Sequence, residues 1–433
     1  MQTELLVLQQ LIIIVLLLCL IWTCYSRRLK KWWKGWRKQA KRRRQLRPRS
    51  PRDCVQCCLE HLRGPRITHS PPPRWQDIKS PRGRPKEYDS EGFACMDASC
   101  IYYKVTDQQI HALRRDGMRN QCEAAAQWEC GYCDSKHTAW LGTPQYRLKT
   151  PSQKVSLALH LHMKGMAAAD ISEILEIPAS TIQRWLDRSG QHSERLHARL
   201  FKNLSPGHIQ LDELVTKVRK RAKRIWIWTG MDVQTKLLLA WVVGGRSQAD
   251  ANQLVHQIED RLQQDHVPAF TSDGLNQYFY ALTAHWGFWT VVEGKRKPVW
   301  VVAPNLLYGQ FRKIRAGYKL KYFYTRMLCG TRADMIQHLQ GLGLSGVIQT
   351  AFVERLNLTL RHIVPALQRR TWALANNIHS LRLRFALSAA YYNFCRPHQA
   401  LKGSRYRHRT PAMAAGITDH PWKVREFVLH PVY

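Results

Sequence analysis

Between His208 and Val243 three short apolar runs follow one another with only polar turns between them, and this succession limits the fold more than any other feature of the chain. His208–Leu214, Arg224–Thr229 and Lys236–Val243 read as strands, and strands joined by short turns form an antiparallel meander. The period then changes. Ser247–Gln264 places Ala251, Leu254, Val255, Ile258 and Leu262 on one face, as a helix does. A buried strand over Pro268–Thr271 and a helix from Gly274 to His285 come next, and the region closes with two helices, Thr350–Arg369 and Ala373–Phe394. The expected class is a multidomain α+β and α/β chain whose main domain, residues 205–400, carries a mixed sheet flanked by helices. Residues 298–345 have no clear period.

At 433 residues the chain has room for two to four domains, and its 45% hydrophobic content is that of a globular protein. Its formal net charge of +36 calls for a polyanionic partner, either nucleic acid or an anionic membrane surface. The excess is uneven: Arg27 to Arg52 holds 14 Lys/Arg and no Asp or Glu. Before it, Leu5 to Trp22 is apolar except for Gln9 and Gln10, about the ~20 residues that cross a bilayer. Positive charge after the apolar run, with Trp22, Tyr25, Trp32, Trp33 and Trp36 at or beyond its end, favours an uncleaved anchor over a cleaved signal. Residues 1–25 are therefore expected as a transmembrane anchor, with residues 5–22 offering the membrane as a partner. The bulk of the chain would be cytoplasmic, in the nucleoid or tethered to the inner face of the cell membrane. A helix lying on the surface, or an upstream start codon, is the other reading. Residues 26–90 are too rich in proline and charge to bury a core and read as a linker. Within it Arg82 and Arg84, in Arg82-Gly83-Arg84-Pro85, resemble the centre of an AT-hook entering a narrow minor groove.

The 12 cysteines do not form a secreted disulfide pattern. Cys95-x4-Cys100 and Cys130-x2-Cys133 are two short pairs joined by a longer loop, the spacing of a tetrahedral thiolate site, so residues 91–145 are expected as a zinc ribbon. Gly131 suits a positive φ in the second knuckle. Cys122 and His137 are substitute ligands, and Cys54-x2-Cys57-Cys58-x2-His61 is a second, weaker group. Residues 150–195 have the rhythm of a helix-turn-helix: a helix over Val155–Met166, then Ala167–Leu175, a turn at Glu176–Ala179 and a helix from Ser180. Ile171, Ile174, Ile182, Trp185 and Leu186 would pack together, and Ser180 would cap the last helix. Thr181, Gln183, Arg184 and Arg188 would then face a DNA major groove. An ordinary helical hairpin is the alternative.

Three acidic residues occupy distinct settings. Asp212 ends a strand-like run, Asp273 opens the turn Ser272-Asp273-Gly274 after a buried strand, and Glu354 lies on an amphipathic helix. Strand, strand end and helix, in that order, are how an RNase H-like fold gathers carboxylates around two divalent metals. Two Mg2+ ions (or Mn2+) about 3.5–4 Å apart activate a nucleophile and neutralise a leaving oxyanion, and they take oxygen ligands. Asp212 is expected to bridge the metals, with Asp273 on one and Glu354 on the other. Helical spacing puts Glu354, Asn357 and Arg361 within about 60° of one another, opposite Val353, Leu356, Leu360 and Ile363. Asn357 would orient a water or phosphate oxygen, and Arg361 would grip a phosphate. Strand alternation points Glu213 away from Asp212.

Gln210-Leu-Asp-Glu-Leu214, Phe270-Thr-Ser-Asp-Gly-Leu-Asn276, Ala351-Phe-Val-Glu-Arg-Leu-Asn-Leu-Thr-Leu-Arg361 and Tyr391-Tyr-Asn-Phe-Cys-Arg-Pro-His398 resemble a bacterial insertion-sequence transposase of the DDE class, kin to retroviral integrases and most similar to the insertion-element-one group. The resemblance spans roughly residues 91–415. It implies Mg2+-dependent cleavage of element ends, joining to target DNA, Asp212, Asp273 and Glu354 as the triad, and Arg396-Pro397-His398 returning beside the catalytic helix. The 80 residues between Asp273 and Glu354 are long for the class, so an insertion is expected over 295–345. A homo-oligomer on DNA is expected, and residues 401–433 are expected as a tail. A catalytically silent DNA-binding regulator and a nuclease that cuts without joining are the rival functions.

Overall fold

A computed structural model of the chain describes residues 90–120, 124–218, 224–403 and 407–433. The anchor, most of the basic linker, Arg82, Arg84, the Cys54–His61 group and Cys122 lie outside these residues. Among the described residues no helix is long and apolar enough to cross a membrane.

The protein is a mixed α/β chain with ten α-helices among the described residues. The first module is a three-stranded antiparallel sheet, β1 (Leu113–Asn120), β2 (Ala124–Cys130) and β3 (Lys136–Thr138). It has its own small core of Tyr102, Leu113 and Trp128 beside the cysteines. Three helices follow: α1 (Ser152–Met163), α2 (Ala168–Leu175) and α3 (Ala179–Leu200). Ile171, Ile182, Trp185 and Leu186 are buried as expected, but Ile174 is 58% exposed and takes no part in that core. The turn between α2 and α3 rests on Glu176, which adopts a left-handed φ of 53°. Pro178 precedes α3, so Ser180 lies within its first turn and caps nothing. Pro fits there because the first-turn N–H groups have no helical partner.

The main sheet has six strands in the order β11-β10-β7-β4-β5-β6. They are β4 (His208–Thr216), β5 (Ile225–Asp232), β6 (Leu238–Gly244), β7 (Ala269–Ser272), β10 (Tyr308–Ala316) and β11 (Lys319–Cys329). The expected meander is present, with β4, β5 and β6 antiparallel. The buried strand β7 then lies parallel to β4, and β10 lies parallel to β7. The expected insertion over 295–345 therefore does not sit wholly outside the sheet: it supplies the strands β10 and β11. A small hairpin of β8 (Gly287–Thr290) and β9 (Val299–Val302) precedes them.

Helices cover both faces. On one lie α4 (Gln248–Glu259) and α5 (Asn276–His285), where Ile258 of α4 reaches down onto Gly230 and Leu211. On the other lie α7 (Ala351–Ile363), reached after α6 (Arg332–Gly341), and α8 (Ile378–Ala390). Ser247 caps α4 by accepting from Asp250 N, and Asn377 caps α8 by accepting from Ser380 N at 2.8 Å. Pro365 ends the first closing helix at Ile363, short of the expected Arg369. Helix α8 continues into a π-helical turn, Tyr391–Cys395, in which Asn393 hydrogen-bonds both backbone groups of Leu238 on β6.

Residues 401–433 are not a free tail. The short helices α9 (Pro411–Ala414) and α10 (Val424–Leu429) bury Met413, Phe427 and Val428. Trp422 stacks on Phe394 at 4.8 Å between ring centres.

Candidate functional site

Among the described residues, two groups of side chains that could hold a metal stand out. In the first, Cys95, Cys100, Cys130 and Cys133 place their sulfur atoms within 4.8 Å of one another. Cys95 and Cys133 are 3.6 Å apart, and Cys100 and Cys130 are 3.8 Å apart. A tetrahedron of zinc–sulfur bonds of about 2.3 Å has sulfur–sulfur edges of about 3.8 Å, so the four thiols fit Zn2+ without rearrangement. Each knuckle carries one left-handed residue. Four residues after Cys100 and Cys130, Lys104 and Asp134 take left-handed φ values of 59° and 57°. Their N–H groups donate to the carbonyls of Cys95 and Cys130 at 2.9 and 2.8 Å. The left-handed residue of the second knuckle is thus Asp134, not Gly131. A Cβ at Gly131 would meet only the end of the flexible Arg114 side chain, at 2.8 Å. Burial works against ionisation of Cys133, yet the Ser135 hydroxyl and backbone, with Cys95 and Cys100, bring its thiol down to about 7. A thiol poised this low gives up its proton to a metal readily. His137 is not part of the group. It is half-buried, and desolvation pushes its imidazole down to about 4.

The second group forms at the carboxyl ends of β4 and β7. Their parallel register pairs Leu211 with Ser272, so the next residues, Asp212 and Asp273, come side by side from positions far apart in sequence. Ligand atoms of Asp212, Glu213 and Asp273 lie within 4.8 Å of one another. Burial, followed by the like charges of Glu213 and Asp273, pushes the Asp212 carboxyl up to about 7, against the donation from Asn357. Asp273 is raised for the same first reason, and Glu354 adds to it while Arg246 and Arg312 oppose. Its Oδ1 accepts from Leu275 N at 3.0 Å, an Asx turn ahead of α5. Half-buried carboxylates crowded in this way are hard oxygen donors suited to Mg2+.

Glu213 does leave β4 on the opposite face from Asp212, as alternation requires. There Arg246 pairs with it, with Nε at 3.1 Å, and the Tyr278 hydroxyl donates to it at 3.1 Å. Its longer side chain nonetheless keeps an oxygen within the cluster. Glu354 is not in that group. Its carboxylate accepts from the Thr350 hydroxyl at 2.6 Å and pairs with Lys313 of β10 at 2.5 Å.

Asn357 differs from expectation as well. It is buried with Val353, Leu356, Leu360 and Ile363, and does not face solvent beside Glu354. Its amide donates to Asp212 Oδ2 at 2.7 Å, and its oxygen lies 3.3 Å from the Thr229 hydroxyl, which also reaches the Asp212 carbonyl at 3.0 Å. Two residues earlier on β4, Gln210 donates to the Gln349 carbonyl at 2.7 Å and accepts from Val353 N at 3.0 Å. Arg361 spends one N–H on the Leu367 carbonyl at 3.2 Å; burial and the Arg369 charge lower its pKa, with the Asp212 charge opposing them. Arg396-Pro397-His398 follows the π-turn, and His398 is pushed down by burial and by the charges of Lys236, Arg396 and Arg355, the last on α7.

Of the residues expected to face DNA on α3, Gln183 and Arg184 are exposed, and Arg184 donates to the partly buried Thr181 at 3.1 Å. Arg188 instead turns inward, donating to the Tyr146 carbonyl, with burial lowering its pKa.

Sequence reasoning missed Gln210, Thr229, Arg246 and Lys313. Polar residues inside otherwise apolar strands, as at 210 and 229, are the signal that could have found two of them. Together these features describe a mixed α/β protein in which, among the described residues, a cysteine cluster and an acidic cluster could each hold a metal. No model of a protein family matches the chain, and no curated protein matches it.

Proposed function

We propose that the protein is a DNA transposase of the DDE class, cleaving the ends of an insertion element and joining them to target DNA. The observation that carries this is the pairing of Asp212 and Asp273 at adjacent parallel strand ends, crowded enough to hold Asp212 near pH 7. The strand order β6-β5-β4-β7-β10, with only β5 opposed to the rest of that set, supports an RNase H-like reading of the main domain.

In this reading the oxygen nucleophile attacks phosphorus in line as the bond to the leaving oxygen breaks. Mg2+ bound at the carboxylates supplies charge neutralisation and lowers the pKa of the attacking hydroxyl or water. Asp212 would be the shared ligand, its Oδ2 oriented by the Asn357 amide, which the Thr229 hydroxyl steadies in turn. Asp273 is the second ligand. Glu354, paired here with Lys313, is the third, and Glu213 stays with Arg246 and Tyr278. Arg361, beside Asp212, offers a guanidinium to the scissile phosphate. The four cysteines hold Zn2+ and shape the ribbon, while Gln183 and Arg184 present a DNA-facing edge on α3. Homo-oligomers on DNA ends, in the cytoplasm or nucleoid, complete the reading.

The test is a labelled duplex carrying the element's ends, incubated with Mg2+ and target DNA. Joined product is expected. Cut product without joining would make the protein a nuclease, and binding without either would make it a regulator.

A further inference from the structure

The β10–β11 hairpin carries large aromatic side chains where a sheet edge ordinarily has none. Tyr322 is 56% exposed and Phe323 61% exposed on the edge strand β11, with Leu320 and Tyr324 exposed beside them. An exposed edge with such side chains is a template for unwanted pairing unless something else uses it. The charge on the hairpin says what. From Tyr308 to Cys329 there are six Lys/Arg (Arg312, Lys313, Arg315, Lys319, Lys321, Arg326) and no acidic residue. A second copy of the same hairpin would bring like charge against like charge, whereas a phosphate backbone would neutralise it.

Cations and rings alternate on both faces. The register pairs Lys313 with Phe323 and Phe311 with Thr325 on one face, and Arg312 with Tyr324 and Ile314 with Tyr322 on the other. Phe311 and Phe323 have ring centres 5.2 Å apart with the Lys313 ammonium 5.5 Å from the Phe311 ring, and Tyr322 and Tyr324 rings lie 6.4 Å apart. The middle of β10 meets residues that flank the carboxylate centre. Lys313 pairs with Glu354, and Arg312 donates to the carbonyl of Gly274, the residue after Asp273, at 3.1 Å.

We propose that this hairpin is a stacking rail for unpaired DNA bases leading away from the carboxylate centre. Its rings take base faces, which every base has, and its cations follow the phosphates. The proposal rests on the DNA reading above but not on strand chemistry.

The experiment is fluorescence anisotropy with the full chain and no divalent ion. The probes are a labelled oligodeoxythymidine and a duplex of equal length. The combined Tyr322→Ala and Phe323→Ala variant should weaken single-strand binding by roughly tenfold per base unstacked, with duplex affinity and melting temperature at their wild-type values. The aromatic-retaining Tyr322→Trp and Phe323→Trp variant should restore it. Equal losses on both probes, no loss on the single strand, or a change in self-association by sedimentation without DNA would each overturn the proposal. If the wild type neither cuts nor joins the end duplex while the selective single-strand loss is seen, the transposase reading fails and the rail stands. If strand chemistry is present and single-strand binding is indifferent to the rings, the rail alone fails.

Discussion

The thiolate and carboxylate centres solve the same problem in opposite ways. The four cysteines come from two short knuckles whose backbone hydrogen bonds fix each pair locally, and their sulfurs already stand at zinc-site spacing. The carboxylates come together only because two distant strands pair in register, and their charges then resist one another. A locally built site can be recognised from spacing alone. A site built by sheet assembly shows only its most regular members in the sequence, and its remaining partners depend on which long side chain reaches where.

The sharpest way to break this contrast is at the carboxylates. Asp212→Asn or Asp273→Asn should lower cleavage and joining by about a thousandfold or more with duplex binding unchanged. Glu354→Gln should do the same, whereas Glu213→Gln should leave most activity. The reverse ranking of these two in a single-turnover assay would make Glu213 the third ligand. Next in size, Cys95→Ser or Cys130→Ser should reduce bound metal from about one zinc per chain to near none and loosen the ribbon. Equal zinc by elemental analysis in variant and wild type would remove the thiolate centre. Asn357→Ala should weaken Mg2+ binding by about 10- to 100-fold through loss of the Asp212 partner. Titration calorimetry showing wild-type affinity would reduce Asn357 to a packing residue.

The smallest effect is in pH. Folding raises Asp212 from 3.8 to about 7, so in that window the folded protein holds a proton that the unfolded chain has released. Stability without metal should therefore fall as pH rises from about 4 to about 7 and level off above. Mg2+ needs the anion, so the stabilisation it gives should grow over the same window. Melting curves with and without Mg2+ that stay parallel across it would contradict the raised Asp212.

The meander and β7 were legible as apolar runs bounded by polar turns, and α4 and the closing helices by their period of 3.6. Strand β10 was not: Gln310, Arg312 and Lys313 interrupt any apolar alternation, since its outer part faces solvent and only Tyr308 to Gln310 pair with β7. Within the site, Asp212 and Asp273 could be read from their strand ends. The engagement of Glu354 with Lys313, and the turn of Asn357 into the core, could not. Both depend on contacts across 41 and 145 residues of sequence, which a helical wheel does not see. Ile174 failed for the opposite reason: helical spacing alone placed it inward, but no neighbouring element covers it.

The helix bearing Glu354 is fastened to the strand bearing Asp212 at two points, through Gln210 to the first turn and through Asn357 one turn later. Sliding or tilting that helix would break both fastenings at once. Any rearrangement that carries the Glu354 carboxylate toward Asp273 is thereby confined to torsions of one side chain, with the lysine opposite it as the latch.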